Sequence, residues 1–184
     1  QTFRPTSCGK AVDRMEIRID SSDPFNQVGE ILTKGMNVMD GYYNNPEASN
    51  TVLSPDGWLH TGDLGVLDPD GYLYIKGRSK SLILGPSGQN IYPEEIEDLL
   101  NAQPYIAESL VIEREGKLVA LVYPDAEAMK QNKISCETLL KIIHETRKQI
   151  NQQLPAYSQI ARIEIHDEEF EKTPKRSIKR FLYQ

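Results

Sequence analysis

The chain has 184 residues, 39% of them hydrophobic, enough to bury a core as one domain or two small ones. Its formal net charge of -6 argues against nucleic acid as the main partner, because neutralising phosphates needs a concentrated basic surface and only the tail is locally basic. No apolar run approaches the roughly 20 residues of a membrane-spanning helix, and no basic start with an apolar core suggests a secretory signal, so a soluble chain is expected.

Cys8 and Cys136 lie far apart with no companions at metal or redox spacing, and are read as reduced thiols of an intracellular protein. His60, His144 and His166 are scattered and show no ligand spacing, so no metal site is expected. The chain opens on Gln1 rather than Met, and its first ten residues carry no helix or strand signal, as expected of a piece of something longer.

In chain order, Met15-Glu-Ile-Arg-Ile-Asp20 alternates like a half-buried strand, and Ser21-Ser-Asp-Pro24 supplies the turn that ends it. Val28-Gly-Glu-Ile-Leu-Thr33 is a second strand candidate. Turn signals follow at residues 39–41, 44–46, 54–57 and 68–71, the last leading into the strand Tyr72-Leu-Tyr-Ile75. Residues 47–53 suit a short helix. Short strands joined by Gly, Pro and Asp turns predict a β-rich, barrel-like unit.

The pattern changes after Arg78. Ser79-Lys-Ser-Leu-Ile-Leu84 reads as an apolar strand and Gly85-Pro-Ser-Gly88 as a loop. Pro93-Glu-Glu-Ile-Glu-Asp-Leu-Leu100 begins a helix, with proline in its first turn and carboxylates at the positive end of the dipole. Ser109-Leu-Val-Ile112 and Leu118-Val-Ala-Leu-Val-Tyr123 predict a hairpin across a glycine turn. Ser135 is a plausible N-cap for a helix to about Leu154, and Ile160-Ala-Arg-Ile-Glu-Ile165 alternates as a strand. The fold class expected is therefore α+β: the barrel-like unit over residues 1–78, then a small α+β unit over 79–184 in which helices cover one sheet.

Two residues could carry chemistry on their own terms. Asp63, after Thr61-Gly62, offers a carboxylate that can accept from two neighbouring hydroxyls, as on a ribose, although Gly-Asp is also a common turn pair. Arg78 follows a strand and could reach ribose or phosphate oxygens, as many surface arginines could. Lys80 taken alone reads as solvated.

Their combination is more specific. Gly41-Tyr-Tyr-Asn-Asn-Pro-Glu47, Gly57-Trp-Leu-His-Thr-Gly-Asp63, Gly71-Tyr-Leu-Tyr-Ile-Lys-Gly-Arg78 and Gly88-Gln-Asn-Ile-Tyr-Pro-Glu-Glu-Ile-Glu97 occur in this order and at these gaps in the adenylate-forming superfamily. Over nearly its whole length the chain resembles the C-terminal third of acyl-CoA synthetases, most like the long-chain fatty acid ligases. The resemblance implies ligation of a fatty acid by way of ATP and AMP, with Mg held mainly by residues outside this chain, and transfer to coenzyme A. Asp63 and Arg78 would bind the nucleotide. Residues 1–78 would end the N-terminal adenylation domain, and residues 79–184 would be the mobile C-terminal domain. Lys80 would be its hinge, and the loop containing Gly85 and Gly88 would approach the coenzyme A channel.

The resemblance also implies a cytoplasmic enzyme, with at most peripheral contact at the inner face of the membrane. Acyl length and oligomeric state have no signature in these residues. The upstream phosphate loop and most of the acyl pocket are missing, so the chain alone is expected to be inactive. The alternatives are an enzyme that loads a carrier protein and a non-catalytic nucleotide-binding module.

The family ends in a pattern like Thr-x-x-Gly-Lys-x-x-Arg, whose lysine neutralises charge during adenylation. Lys172-Thr-Pro-Lys-Arg-Ser-Ile-Lys-Arg180 puts Arg176 at the glycine and Ser177 at the lysine. If the segment is extended, Lys175 and Lys179 project on the same side as residue 177, and either could serve as the catalytic cation. A merely solvated basic tail is the other reading.

Overall fold

A computed structural model describes residues 3–184; Gln1 and Thr2, the head of the featureless opening stretch, lie outside them. One compact unit ends at Lys80 and a second begins at Ser81.

The first unit is built on β1 (Met15–Asp20), β2 (Gly29–Gly35), β3 (Leu59–Leu67) and β4 (Leu73–Arg78), with α1 (Pro46–Val52) between β2 and β3. All neighbours are antiparallel and the sheet order follows the chain. The alternation of β1 turns Ile17 and Ile19 onto a small core with Ile31, Leu67 and Leu73. Asn45 caps α1, its side-chain oxygen accepting from the Ala48 N–H at 2.9 Å, with Pro46 in the first turn.

Two expectations change here. The barrel-like unit is an open sheet: closure would require β1 to pair with β4, and those strands are the two edges, with β2 and β3 between them. The stretch around residue 61, where Gly62-Asp63 reads as a turn pair, is the nine-residue strand β3. Its glycines hid it, and at least one is there because neighbouring backbone comes close. A Cβ on Gly65 would sit 2.6 Å from the Tyr74 carbonyl oxygen.

The expected strand over 79–84 is also reduced. Ser79–Ser81 make a single 3-10 turn, in which the Ser79 hydroxyl donates to the Gly62 carbonyl at 3.1 Å, and only Ile83–Leu84 (β5) is extended. Ser and Lys are poor strand formers, and a serine hydroxyl competes for backbone partners. In the second unit β5 pairs with β6 (Asn90–Ile91), closing a loop over residues 85–89. Then come α2 (Pro93–Asn101), β7 (Ile106–Arg114), β8 (Lys117–Pro124), the short α3 (Ala126–Gln131), α4 (Cys136–Gln153) and β9 (Ile160–Ile165).

The sheet order is β7-β8-β9, with β7 and β8 antiparallel and β9 parallel to β8. Glu115 (φ 54°) and Gly116 (φ 73°) form the two-residue hairpin loop, both with the positive φ that matches strand twist. The Ser135 hydroxyl caps α4 through the Thr138 N–H at 3.2 Å.

The apolar run of β8 follows from burial on both faces. Leu118, Ala120 and Val122 pack with Val111, Ile96, Leu100 and Ile150, on the side covered by α2 and α4. Val119 and Leu121 face the other way, with Leu110, Ile112 and Phe170, and there the C-terminal tail supplies the cover through Ile178 and Tyr183. Each fully buried aliphatic side chain contributes at most about 1.5–3 kcal/mol.

Candidate functional site

Asp63 and Arg78 are directly opposed in the β3–β4 register. The Asp63 carboxylate meets the guanidinium at 3.2 Å, with the aspartate side chain 33% exposed and the arginine 58%. The stretch of β3 that presents Asp63 is braced from β2. One oxygen of Glu30 accepts from the Gly62 N–H at 2.9 Å, and the other lies 2.8 Å from Nδ1 of His60.

The Thr61 hydroxyl donates to the Ile31 carbonyl at 2.7 Å and accepts from the Asp63 N–H at 3.1 Å. Gly62 has φ 73°, a left-handed conformation that suits glycine, and a Cβ there would meet the Arg78 guanidinium at 3.4 Å. The β2–β3 register shifts between Glu30 and Leu32, an irregularity of the kind that re-aims a side chain. Glu30 was not singled out by sequence. Its signal would have been a carboxylate placed in a strand whose partner strand carries a Gly-Asp pair.

The outcome is a part-exposed carboxylate paired with the Arg78 cation and able to accept from vicinal hydroxyls. Lys80 is exposed, in the 3-10 turn where the first unit ends.

In the second unit Gly85 is buried and Gly88 exposed with φ 81°. The Gly85 N–H donates to the Gln89 carbonyl at 2.8 Å, and that of Gly88 donates to Gly85 at 2.9 Å, so the loop is a closed turn. It forms one wall of a cleft of about 430 Å³ that Leu118 and Tyr157 also line. The side-chain carbonyl of Gln89, also in the lining, is buried without a hydrogen-bond partner.

The tail departs from the extended form on which the alternation of residues 175, 177 and 179 depends. Lys172 bridges Ile178, the Thr173 N–H donates to the Ser177 carbonyl at 2.8 Å, and the Arg176 N–H donates to Thr173 at 2.8 Å, so residues 173–177 are the turn of a small hairpin. Arg176 has φ 63°. Left-handed backbone at this residue is what a glycine would favour, and Arg176 is where the family pattern has its glycine.

The two lysines diverge. Lys179 is bound to Glu171 at 3.0 Å, whereas Lys175 sits exposed at the turn, and among the described residues no acid is in ion-pair reach of it. Lys172, held between Glu108 and Glu169 at 2.5 Å each, has its pKa raised by those two hydrogen-bonded carboxylates. Ser177 is exposed.

Among the described residues no group of three or more His, Cys, Asp or Glu could hold a metal ion. His166 instead stacks on Phe170 at 4.9 Å. Cys8 and Cys136 are both free and exposed. No helix of the described residues is long and apolar enough to cross a membrane.

Residues 80–183 match the model of a family described as the AMP-binding enzyme C-terminal domain. The chain is 44% identical over 124 residues to the indoleacetate–CoA ligase of Aromatoleum aromaticum, covering 63% of this chain and 24% of that protein. It is 39% identical over 123 residues to a long-chain-fatty-acid–CoA ligase of Gallus gallus, covering 66% of this chain and 16% of the other.

Among solved structures it is similar to the O-succinylbenzoate coenzyme A synthetase of Bacillus subtilis in complex with AMP, with TM-score 0.76, 29% identity, and coverage of 98% of this chain and 36% of that one. The same synthetase with ATP and magnesium ion superposes with TM-score 0.75 at 30% identity, covering 97% of this chain and 35% of that one. The chain thus spans between 16% and 36% of the length of these proteins. Their names carry three different acids, so the likeness extends beyond long-chain ligases.

Proposed function

We propose, because the chain belongs to the AMP-binding enzyme C-terminal domain family of adenylate-forming proteins, that the enzyme carrying it is an AMP-forming acid–CoA ligase. In the first half-reaction a carboxylate oxygen attacks the α-phosphorus of ATP and pyrophosphate leaves. In the second the coenzyme A thiol displaces AMP, giving the thioester and releasing a proton.

Asp63 accepts from the ribose hydroxyls, while Arg78, in ion-pair contact with that carboxylate, keeps it aimed. Lys80 is the hinge. The Gly85–Gly88 turn and its cleft receive part of coenzyme A. Magnesium would enter with ATP, held by phosphate oxygens and water, as that ion prefers. The observation that carries this reading is the Asp63–Arg78 pair at adjoining strand positions, with the backbone at Gly62 braced by Glu30.

Of the two candidate catalytic cations, the geometry favours Lys175, whose ammonium is uncommitted at the hairpin turn, over Lys179, which Glu171 holds. A non-catalytic nucleotide-binding module remains the second reading, favoured by Ser177 at the lysine position of a turn whose left-handed Arg176 fits the family register.

The acid is the finer question. A long-chain fatty acid is supported by the chicken relative, and an aryl acid by the indoleacetate and succinylbenzoate relatives. The test is acid-dependent ATP–pyrophosphate exchange by the full enzyme, with palmitate, indoleacetate and succinylbenzoate. Thioester formation follows, with free coenzyme A or a phosphopantetheinylated carrier as acceptor. Exchange with at least one acid and transfer to free coenzyme A are expected. Exchange with none would overturn the ligase reading in favour of the module.

A further inference from the structure

The tail hairpin returns to the body of the second unit at Arg180. This residue lies three positions after Ser177 in sequence, yet its side chain points inward and is only 19% exposed. Its Nη1 donates to the Val111 carbonyl at 3.3 Å, and its Nη2 binds the Glu97 carboxylate and lies 3.5 Å from Oε1 of Glu94. The other oxygen of Glu97 accepts from the Val111 N–H at 2.6 Å. Glu97 is itself 8% exposed. One buried charge pair therefore joins α2, the middle of β7 and the tail.

As a source of stability such a pair is poor, because desolvation offsets much of the attraction and well-packed apolar groups often do as well. As a register device it is effective. Shifting the tail by one residue would leave Glu97 and the Val111 carbonyl without their cation, and an unpaired buried carboxylate is costly. The aromatic contacts at the tail's two ends, Phe170 to Tyr183 at 5.2 Å, are less directional and would tolerate such a slip.

Helix α2 begins two residues after β6, the strand that closes the Gly85–Gly88 turn. The hairpin bearing Lys175 and the loop facing the cleft thus connect to the same buried pair.

We propose that Glu97 and Arg180 are positioning residues that lock the hairpin over residues 172–178 to helix α2, so that the Lys175 turn and the loop over residues 85–89 move as one rigid piece. Its catalytic consequence rests on the ligase reading above; the lock itself does not.

The lock is tested by amide hydrogen exchange and by trypsin cleavage after Lys175 and Arg176, in the 184-residue chain and its R180Q, R180K and E97Q variants. In R180Q the Thr173, Arg176 and Lys179 amides should exchange faster, on the order of tenfold or more, and cleavage should rise in step, while β8 and α4 amides keep their protection. R180K, which restores the charge without the fork that spans Glu97 and Val111, should fall between R180Q and wild type. If R180Q does not fold, E97Q, which keeps the shape and removes the charge, is read by the same criteria. Unchanged tail exchange, or an equal rise throughout the unit, would overturn the lock.

In the full enzyme R180Q should lower kcat of pyrophosphate exchange with little change in the KM for ATP. An equal effect on the two would overturn the positioning role. A wild type that exchanges with no acid would defeat the ligase reading, and the amide data would still decide the lock.

Discussion

Replacing Glu30 by alanine tests whether the proposed nucleotide grip is built from the second strand rather than from Asp63 alone. The substitution removes the acceptor of the Gly62 N–H at 2.9 Å and the partner of His60 at 2.8 Å. An amide left without its partner costs about 1–3 kcal/mol when buried. The Glu30 side chain is 26% exposed, so water can replace part of the lost bond and the lower end, about 1 kcal/mol, is the expectation.

That energy is divided between folding and binding. If the strand stays folded but Asp63 loses its aim, 1.4 kcal/mol is tenfold in affinity, so a loss of about fivefold in apparent ATP affinity is expected in the full enzyme. Thermal unfolding of the 184-residue chain reports the stability share, and the KM for ATP in pyrophosphate exchange reports the share in aim. Glu30→Gln, which keeps an oxygen for the amide, should recover most of the ATP affinity. If E30A matches wild type in both melting and KM, the bracing is irrelevant and the argument fails.

Arg78→Ala should raise the KM for ATP by roughly tenfold, with Arg78→Lys intermediate because an ammonium lacks the planar fork; an unchanged KM would remove Arg78 from the grip. Gly65→Ala forces a Cβ to within 2.6 Å of the Tyr74 carbonyl, a backbone atom that cannot swing aside, and should cost about 1–3 kcal/mol, seen as a fall in Tm of several degrees. The 184-residue chain by itself should form no acyl-CoA from ATP, palmitate and coenzyme A, and detectable thioester by mass spectrometry would contradict this.

Burial pushes the Glu97 carboxyl upward against the pull of Arg180, so its folded pKa lies above the ordinary 4.5. The folded state then holds that proton longer than the unfolded chain, and Glu97's contribution to stability falls as pH rises from 4.5 through the folded value. The unfolding free energy of wild type should decline relative to E97Q over that window, and parallel pH curves would refute the assignment.

Where a single element carries its own pattern, sequence and structure agree closely. Helix α4 begins after Ser135 and keeps Leu139, Ile143 and Ile150 on one buried stripe, and β9 runs from Ile160 to Ile165 as its alternation implied. Strand β3 was illegible because its glycines are set by neighbours: the closeness of Tyr74 to Gly65 is a property of two paired strands and leaves no trace in either one. The open sheet was misread for a related reason, since turn-rich strands announce themselves equally in a meander and in a barrel.

The candidate site divides the same way. Asp63 and Arg78 could be singled out because each lies in a motif of consecutive residues, but Glu30 reaches the same stretch of β3 from 32 residues away in sequence. Arg180 reaches Glu97 from 83. Both reside in strings that read locally as unremarkable strand, helix or basic tail.

The same distinction separates the two tail lysines. Sequence periodicity treats Lys175 and Lys179 alike because it assumes an extended chain, and the assumption breaks at Arg176, where φ turns positive. That one dihedral folds residues 173–177 into a turn and leaves Lys179 beside Glu171 on the returning arm, while Lys175 stands at the turn. A left-handed arginine is strained relative to the glycine it replaces by about 1–2 kcal/mol, so the hairpin must be held by what lies at its base. In this fold the base is Arg180 on Glu97, with Lys172 on Glu108 of β7 beside it. The geometry that singles out Lys175 and the buried pair that holds it are therefore one structural dependency.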